Sequence, residues 1–236
     1  MELEKRQSFI DHLSEFRSCA IKILIAFIVC SLLACNFTGP ILAFLTRGVG
    51  KLIFTSPQEA FMTNVQIALL VGVFVSLPYI TYQIWQFVSE GLKDNEKKYV
   101  YISAPISAFL FILGALFGFY VVVPIMMNFF MGFATESLTP MISISKYISF
   151  IMTWTFSFAG LFELPLVLVF LTKIGVITPQ FLSKNRRIAI VIIFIVAGYL
   201  TPPDPISQIL MAVPLLVLYE LSIIGSRFVY VKKAMV

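Results

Sequence analysis

Six apolar stretches, parted by short clusters of lysine and arginine, constrain this chain more than any other feature. They fall at about 19–38, 60–88, 99–131, 145–173, 188–200 and 206–226. A hydrocarbon core about 30 Å thick takes roughly 20 apolar helical residues to cross. Water cannot accommodate the same stretches. Hydrophobic residues make up 59% of the 236 and charged residues 12%, where a soluble domain carries about 25% charged residues. A globule of this size keeps too much surface to hide so many apolar side chains. The composition excludes soluble enzymes, disordered tails and secreted disulfide scaffolds. It predicts an all-α, polytopic membrane protein: one transmembrane domain over residues 1–236, with six helices.

The positions of the cations orient it. Lys5, Arg6, Arg17 and Lys22 precede or open the first stretch, and Lys93, Lys97 and Lys98 lie between the second and third. Lys173, Lys184, Arg186 and Arg187 separate the fourth and fifth, and Arg227, Lys232 and Lys233 close the chain. Only Arg47, Lys51 and Lys146 fall on the opposite side. By the positive-inside rule both termini are cytoplasmic. Glu2, Glu4, Asp11 and Glu15 argue against a cleaved signal peptide, so the first stretch is expected to be retained. Cys19, Cys30 and Cys35 read as small buried hydrophobes rather than bridges. The single histidine, His12, lies in the charged N-terminal stretch, which rules out a His-built metal site.

The spans are unequal. Helices two to four are long enough to tilt, kink or protrude, and Pro78, Pro105, Pro124 and Pro165 interrupt them. Helix five, 188–200, is too short for an undistorted bilayer, and the prolines of Thr201-Pro202-Pro203-Asp204-Pro205 separate it from helix six. A short hairpin of helices five and six is expected to thin the membrane or admit water. The external segments 39–59 and 132–144, punctuated by Gly39-Pro40 and Thr139-Pro140, predict caps over the outer face.

Catalytic motifs are missing: there is no G-x-S-x-G, no H-E-x-x-H and no phosphate-binding glycine loop. No enzyme activity, cofactor or metal is expected, and the cations serve topology rather than nucleic acid. What stands out is Glu163, midway along helix four in "GLFELPLV". An ionisable group at that depth costs at least about 2.5–3.5 kcal/mol, so it faces water, a partner or a proton. Gly160, Ala159 and Phe156 share its helical face, and the two small residues predict a groove for another helix. Glu220 lies near the cytoplasmic end, where a side chain can reach the headgroups. Asp204 and Gln208 share a face just past the double proline, where Asp204 suits a helix N-cap. Glu15, Glu90, Asp94 and Glu96 form a cytoplasmic acidic group, read either as solvated pairs or as a receptor for a basic peptide.

Several strings stand in one order along nearly the whole chain. They are "HLSEFR" at 12–17, "SLPYITYQIWQFVSEGLKDNEKK" at 76–98, "FELP" at 162–165, "GVITP" at 175–179, "LTPPDPISQ" at 200–208 and "MAVPLLVLYE" at 211–220. In this the chain resembles the TatC family, the multispanning receptor subunits of the bacterial twin-arginine protein translocase. The resemblance implies six helices in a concave, glove-like bundle in the bacterial inner membrane. It implies binding of twin-arginine signal peptides on the cytoplasmic side and work with TatA- and TatB-type single-span partners. Folded cargo would then be exported on the proton-motive force, from a receptor complex holding several copies of the chain in membrane lipid.

Carried over by position, Glu15 and Arg17 in the first string, with Phe87 and Glu96 in the second, are the signal-peptide-binding candidates. Pro78, Gly160, Glu163, Asp204 and Gln208 are the candidates for the concave face and its partners. Glu90 stands where many members have proline, and Pro205 adds a third proline to the last turn. The physics agrees with the implied role: carboxylates hold guanidinium groups through paired, charge-assisted hydrogen bonds, which lysine cannot match. A signal peptide's apolar stretch of roughly 7–15 residues suits a groove floored by Gly160 and Ala159. Two other readings stand beside this one: a proton-coupled small-solute transporter using Glu163, and a structural scaffold. The transporter reading leaves the short hairpin and the cytoplasmic acids unexplained and lacks the internal repeats of many transporters.

Overall fold

The computed structural model describes residues 2–47, 52–92, 94–135, 140–201 and 204–234, with the side chains of 2–12, 94–96 and 231–234 outside that description. The described chain is nearly all helix: α1 (Glu2–Ala34), α2 (Thr38–Leu45), α3 (Pro57–Glu90), α4 (Asp94–Phe117), α5 (Val123–Met131), α6 (Ile144–Leu161), α7 (Leu164–Ile174), α8 (Pro179–Lys184), α9 (Arg186–Leu200) and α10 (Pro205–Ala234). A 3₁₀ turn, Cys35–Phe37, joins α1 to α2, and a π segment, Gly118–Val122, joins α4 to α5. Among the described residues, five candidate spans are long and apolar enough to cross a membrane: Leu13–Leu45, Pro57–Glu90, Lys97–Met131, Ile144–Ile174 and Pro205–Tyr230. Their outward faces carry large apolar side chains, as on α1 with Leu24, Ile25, Val29, Leu32 and Leu33. Such faces are stable against lipid, not water.

Several expectations need correcting. The first helix starts at Glu2 rather than near 19, so the charged N-terminal stretch is part of it. Helix six is not short: α10 runs 30 residues, roughly 45 Å. Its basic end stays helical because lysine and arginine are good helix formers and offset the dipole at a C-terminus. Shortness belongs to α9 alone, whose 15 residues span only about 22 Å. Helix four is two helices, α6 and α7, with a turn at Phe162-Glu163. Pro165 explains the break, since it has no N–H for the Leu161 carbonyl and its ring crowds that carbonyl. Gly39-Pro40 does not mark a loop but opens α2, where a first-turn proline costs nothing. The cysteines are free, Cys19 and Cys30 half-buried and Cys35 exposed, so none is the fully buried hydrophobe expected.

Contacts divide the chain into two compact units, Met1–Phe109 with Ser137–Met152, and Leu110–Glu136 with Thr153–Val236. In the first, α1 packs along α3 around Ser31 and Gly72, and the Cys19 thiol donates to the Gln83 carbonyl at 3.4 Å. Ile67, Leu77, Ile148 and Ile151 form the buried centre. The start of α6 is tied in by Gln66 Nε2 donating to Ser149 Oγ at 3.1 Å, and by the Tyr147 hydroxyl donating to the Leu45 carbonyl at 3.1 Å.

In the second unit, Gly114 and Gly118 let the backbone of α4 and the π segment approach α6. A Cβ on Gly114 would stand 2.5 Å from the Phe158 carbonyl oxygen, and one on Gly118 2.9 Å from that of Trp154. Lipid gives apolar side chains no reason to prefer each other, so such close approach supplies the packing attraction. Phe117 seals it, with its ring 5.3 Å from Phe158 and 5.5 Å from Phe162. α7 packs on α10, where Thr172 Oγ1 donates to Ser226 Oγ at 3.1 Å. The "GVITP" string ends α7 and starts α8: Gly175 takes φ 89°, a left-handed cap open to glycine, and the Thr178 side chain accepts from the Phe181 N–H ahead of Pro179.

Candidate functional site

The acid-bearing N-terminal helix and the end of α3 meet in the first unit. The ring of Phe16, between Glu15 and Arg17, stands edge-on to Phe87 with centroids 5.7 Å apart. Glu15 is half-buried, and Arg17 and Glu90 are exposed. From this contact an apolar groove of about 650 Å³ runs between α1 and α3, past Phe16, Cys19, Ile23, Phe27, Ile84 and Phe87. The structure brings Phe16 and Phe87 to one end of this groove, while Glu15 and Arg17 adjoin Phe16 along the chain and do not line it. The fourth signal-peptide-binding candidate, Glu96, lies on α4, and its side chain is outside the described residues. Carboxylates beside a long apolar trough suit a ligand with cations at one end and an apolar segment behind them.

Pro78 interrupts α3 from its exposed side, and the Thr81 hydroxyl donates back to the Leu77 carbonyl at 3.0 Å and the Pro78 carbonyl at 3.1 Å. Proline strips a helix of one N–H, and a hydroxyl one turn on takes up local acceptor capacity.

Glu163 occupies the break between α6 and α7, half-buried, with its N–H donating to the Gly160 carbonyl at 3.2 Å and its own carbonyl accepting from the Val167 N–H at 3.0 Å. A Cβ at Gly160 would meet nothing within 4 Å. Ala159 is 0% exposed and faces into the unit. The expected pair of small residues flooring a groove is therefore a single one, Gly160, because the turn of the helix sends Ala159 inward.

Asp204 and Gln208 have structural partners. Asp204 Oδ1 accepts from the Ser207 N–H at 2.7 Å, capping α10, and Gln208 Nε2 donates to the Phe194 carbonyl at 2.9 Å, tying α10 to α9. Gly198 makes room for that tie, since a Cβ there would stand 2.9 Å from Gln208 Nε2. Pro202 and Pro203 lie outside the described residues. Glu220 pairs with Arg186 at 2.8 Å, both about half exposed.

Sequence reasoning missed Glu59. Its Oε2 accepts from the Thr55 N–H at 2.6 Å and the Thr55 hydroxyl at 2.7 Å. Its Oε1 accepts from the Ser143 hydroxyl, and from the Ser145 N–H at 3.2 Å. Alongside, Ile53 N–H donates to the Ile142 carbonyl at 3.1 Å and Ile144 N–H to the Ile53 carbonyl at 2.9 Å. One carboxylate thus clasps the two loops that were expected to form outer caps. The G-x-x-x-G of Gly114 and Gly118 was also missed, though its spacing is a recognisable signal of close helix packing. Among the described residues no group of three or more His, Cys, Asp or Glu side chains could hold a metal ion.

Residues 11–214 match the family model described as Sec-independent protein translocase protein (TatC). The chain is 40% identical over 235 residues to the Sec-independent protein translocase protein TatC of Carboxydothermus hydrogenoformans, covering 98% of this chain and 97% of that protein. It is 38% identical to the TatC of Aquifex aeolicus, over 94% of this chain and 96% of the other. A solved structure described as the twin arginine translocase receptor TatC superposes with a TM-score of 0.81 at 37% identity, covering 92% of this chain and 99% of that one.

Proposed function

The chain belongs to the TatC family of Sec-independent protein translocase proteins, and on that premise we propose that it is the signal-peptide receptor of a twin-arginine translocation complex. It is a membrane protein of that translocase. In this reading it crosses the bacterial inner membrane six times as one transmembrane domain, both termini cytoplasmic, with α9 as the short fifth span. It binds twin-arginine signal peptides through Glu15, Arg17, Phe87 and Glu96. It works beside TatA- and TatB-type single-span proteins and further copies of itself, and folded cargo passes on the proton-motive force. Glu163, Gly160, Pro78, Asp204 and Gln208 form the face presented to partners. Family membership displaces the solute-transporter alternative, which rested on Glu163.

The observation that supports this reading is the Phe16–Phe87 contact. It joins the helix that bears the "HLSEFR" string to the end of α3 at one end of an apolar groove. An Arg-Arg pair would engage the acids while the apolar stretch behind it lies along α1 and α3. A charge-assisted hydrogen bond contributes roughly 1.5–3 kcal/mol, so Glu15→Ala and Glu96→Ala should each weaken binding about 10- to 150-fold. The test is affinity of the purified full chain for a twin-arginine peptide and its lysine-lysine counterpart, with crosslinks placed along 87–96. Unchanged affinity in both variants, or equal crosslinking of the two peptides, would overturn the assignment.

A further inference from the structure

The loop between α7 and α9 carries α8, and three side-chain contacts fasten α8 and the start of α9 to α10. The Tyr219 hydroxyl donates to the Leu182 carbonyl at 2.9 Å, Arg227 Nη2 donates to Ser183 Oγ at 3.3 Å, and Arg186 pairs with Glu220 at 2.8 Å. Between α8 and α10 lies an open pocket of about 630 Å³, lined by Pro179, Gln180, Ser183, Lys184, Arg227 and Tyr230. It is outside everything used for signal-peptide recognition above.

Its charge is one-sided. Residues 175–200 contain no acid, and residues 205–234 contain only Glu220. Arg186 occupies Glu220, so among the described residues Lys184 and Arg227 have no carboxylate within 4 Å. Its depth is defined as well. The apolar run of α7 gives way to Lys173 and that of α10 to Arg227, so the pocket lies where both hydrophobic stretches end. Phe181 and Phe228, next in sequence to the lining residues Gln180 and Arg227, are 57% and 75% exposed. Two cations beside an apolar wall of Pro179 and the Tyr230 ring, on helices that also expose aromatic rings, make an amphiphilic receptor. An inorganic anion has no use for those walls. A phosphodiester with a glycerol backbone and acyl chains uses both parts.

We propose that this pocket is a binding site for the headgroup of an anionic phospholipid. Lys184 and Arg227 take the phosphodiester, the Ser183 hydroxyl and Gln180 amide take the polar headgroup, and the first acyl carbons lie along Pro179 and Tyr230. The site clamps α8 to α10 by neutralising two cations that otherwise repel across the same gap.

The test uses the purified full chain in detergent, titrated with dioleoyl phosphatidylglycerol or dioleoyl phosphatidylcholine and read by native mass spectrometry. The wild-type chain should retain phosphatidylglycerol in preference to phosphatidylcholine. With each surface cation counted separately, Lys184→Gln or Arg227→Gln should cost about fivefold in phosphatidylglycerol affinity and the double variant about 30-fold. Arg187→Gln, an exposed cation outside the pocket, should bind as wild type. Lys184→Arg with Arg227→Lys keeps both charges and should keep most of the affinity, which separates charge loss from misfolding. Four results would overturn the proposal: no preference between the two lipids, a double Gln variant that binds like wild type, an equal loss in Arg187→Gln, or displacement of the lipid by millimolar inorganic phosphate. The last would make free phosphate the ligand.

Discussion

Ser31 of α1 lies against the backbone of Gly72 in α3 so closely that a Cβ on Gly72 would stand 2.8 Å from the Ser31 Cα. A side chain can rotate away from such a contact, but a helix backbone cannot. The crossing of α1 over α3, and with it the groove leading from Phe16 and Phe87, depends on residue 72 having no side chain.

Gly72→Ala should therefore destabilise the chain despite being a better helix former. Overpacking costs about 1–3 kcal/mol, against a helix-propensity gain of about 1 kcal/mol. The Ser31 hydroxyl is buried without a hydrogen-bond partner, so Ser31→Ala should leave stability level or raise it. Ser31→Gly in the Gly72→Ala background should recover part of the loss. Thermal unfolding in detergent measures all of these, and a Gly72→Ala chain as stable as wild type would contradict the packing argument.

Glu59 offers a second test, away from the membrane interior. Four donors converge on its two oxygens, from Thr55, Ser143 and Ser145. Glu59→Gln keeps the shape but turns one oxygen into a donor facing donors, and Glu59→Ala removes both acceptors. Hydrogen exchange at the amides of Thr55 and Ser145 should quicken in Gln and more in Ala, with the amides of α10 unchanged. Equal exchange in all three chains would show that the backbone pairing of Ile53 with 142–144 holds the loops alone.

The shortness of α9 predicts a local defect in the bilayer. Its 15 residues reach only about 22 Å against a core of about 30 Å. Spin labels along 188–200 in lipid nanodiscs should report water or headgroups at depths where labels on the lipid face of α1 report acyl chains. Matching depth profiles on the two helices would refute this.

For Glu163 the useful comparison is Gln against Ala. The residue occupies a helix break beside Gly160, whose outward side is open. If it makes a polar contact with a partner helix, Glu163→Gln should retain most export of a folded twin-arginine cargo and Glu163→Ala should lose it. If it carries a proton, both should fail alike. Crosslinking at Gly160, scored beside export, ties the outcome to a partner, and full activity of Glu163→Ala would leave the residue without either role.

The sequence by itself determined what depends on neighbours along the chain. Apolar runs long enough for lipid, prolines at 78, 105, 124 and 165, the glycine stop at 175 and the Asp204 cap all act within a turn or two, so residue order suffices to place them. It also held the family's motifs. Helix ends were less legible: α10 continued through its basic residues, and α6 and α7 separated at Phe162-Glu163, because hydropathy does not register where a backbone bends. The tertiary structure decided which residues meet. Glu59 finds Ser143 84 positions away, Glu220 takes Arg186 34 positions away, and Ala159 turns inward while Gly160 turns out. Partner choice of that kind follows from the rotation and height of one helix against another. In lipid, hydrophobicity does not select among apolar faces, so that register is set by where small residues let two backbones touch.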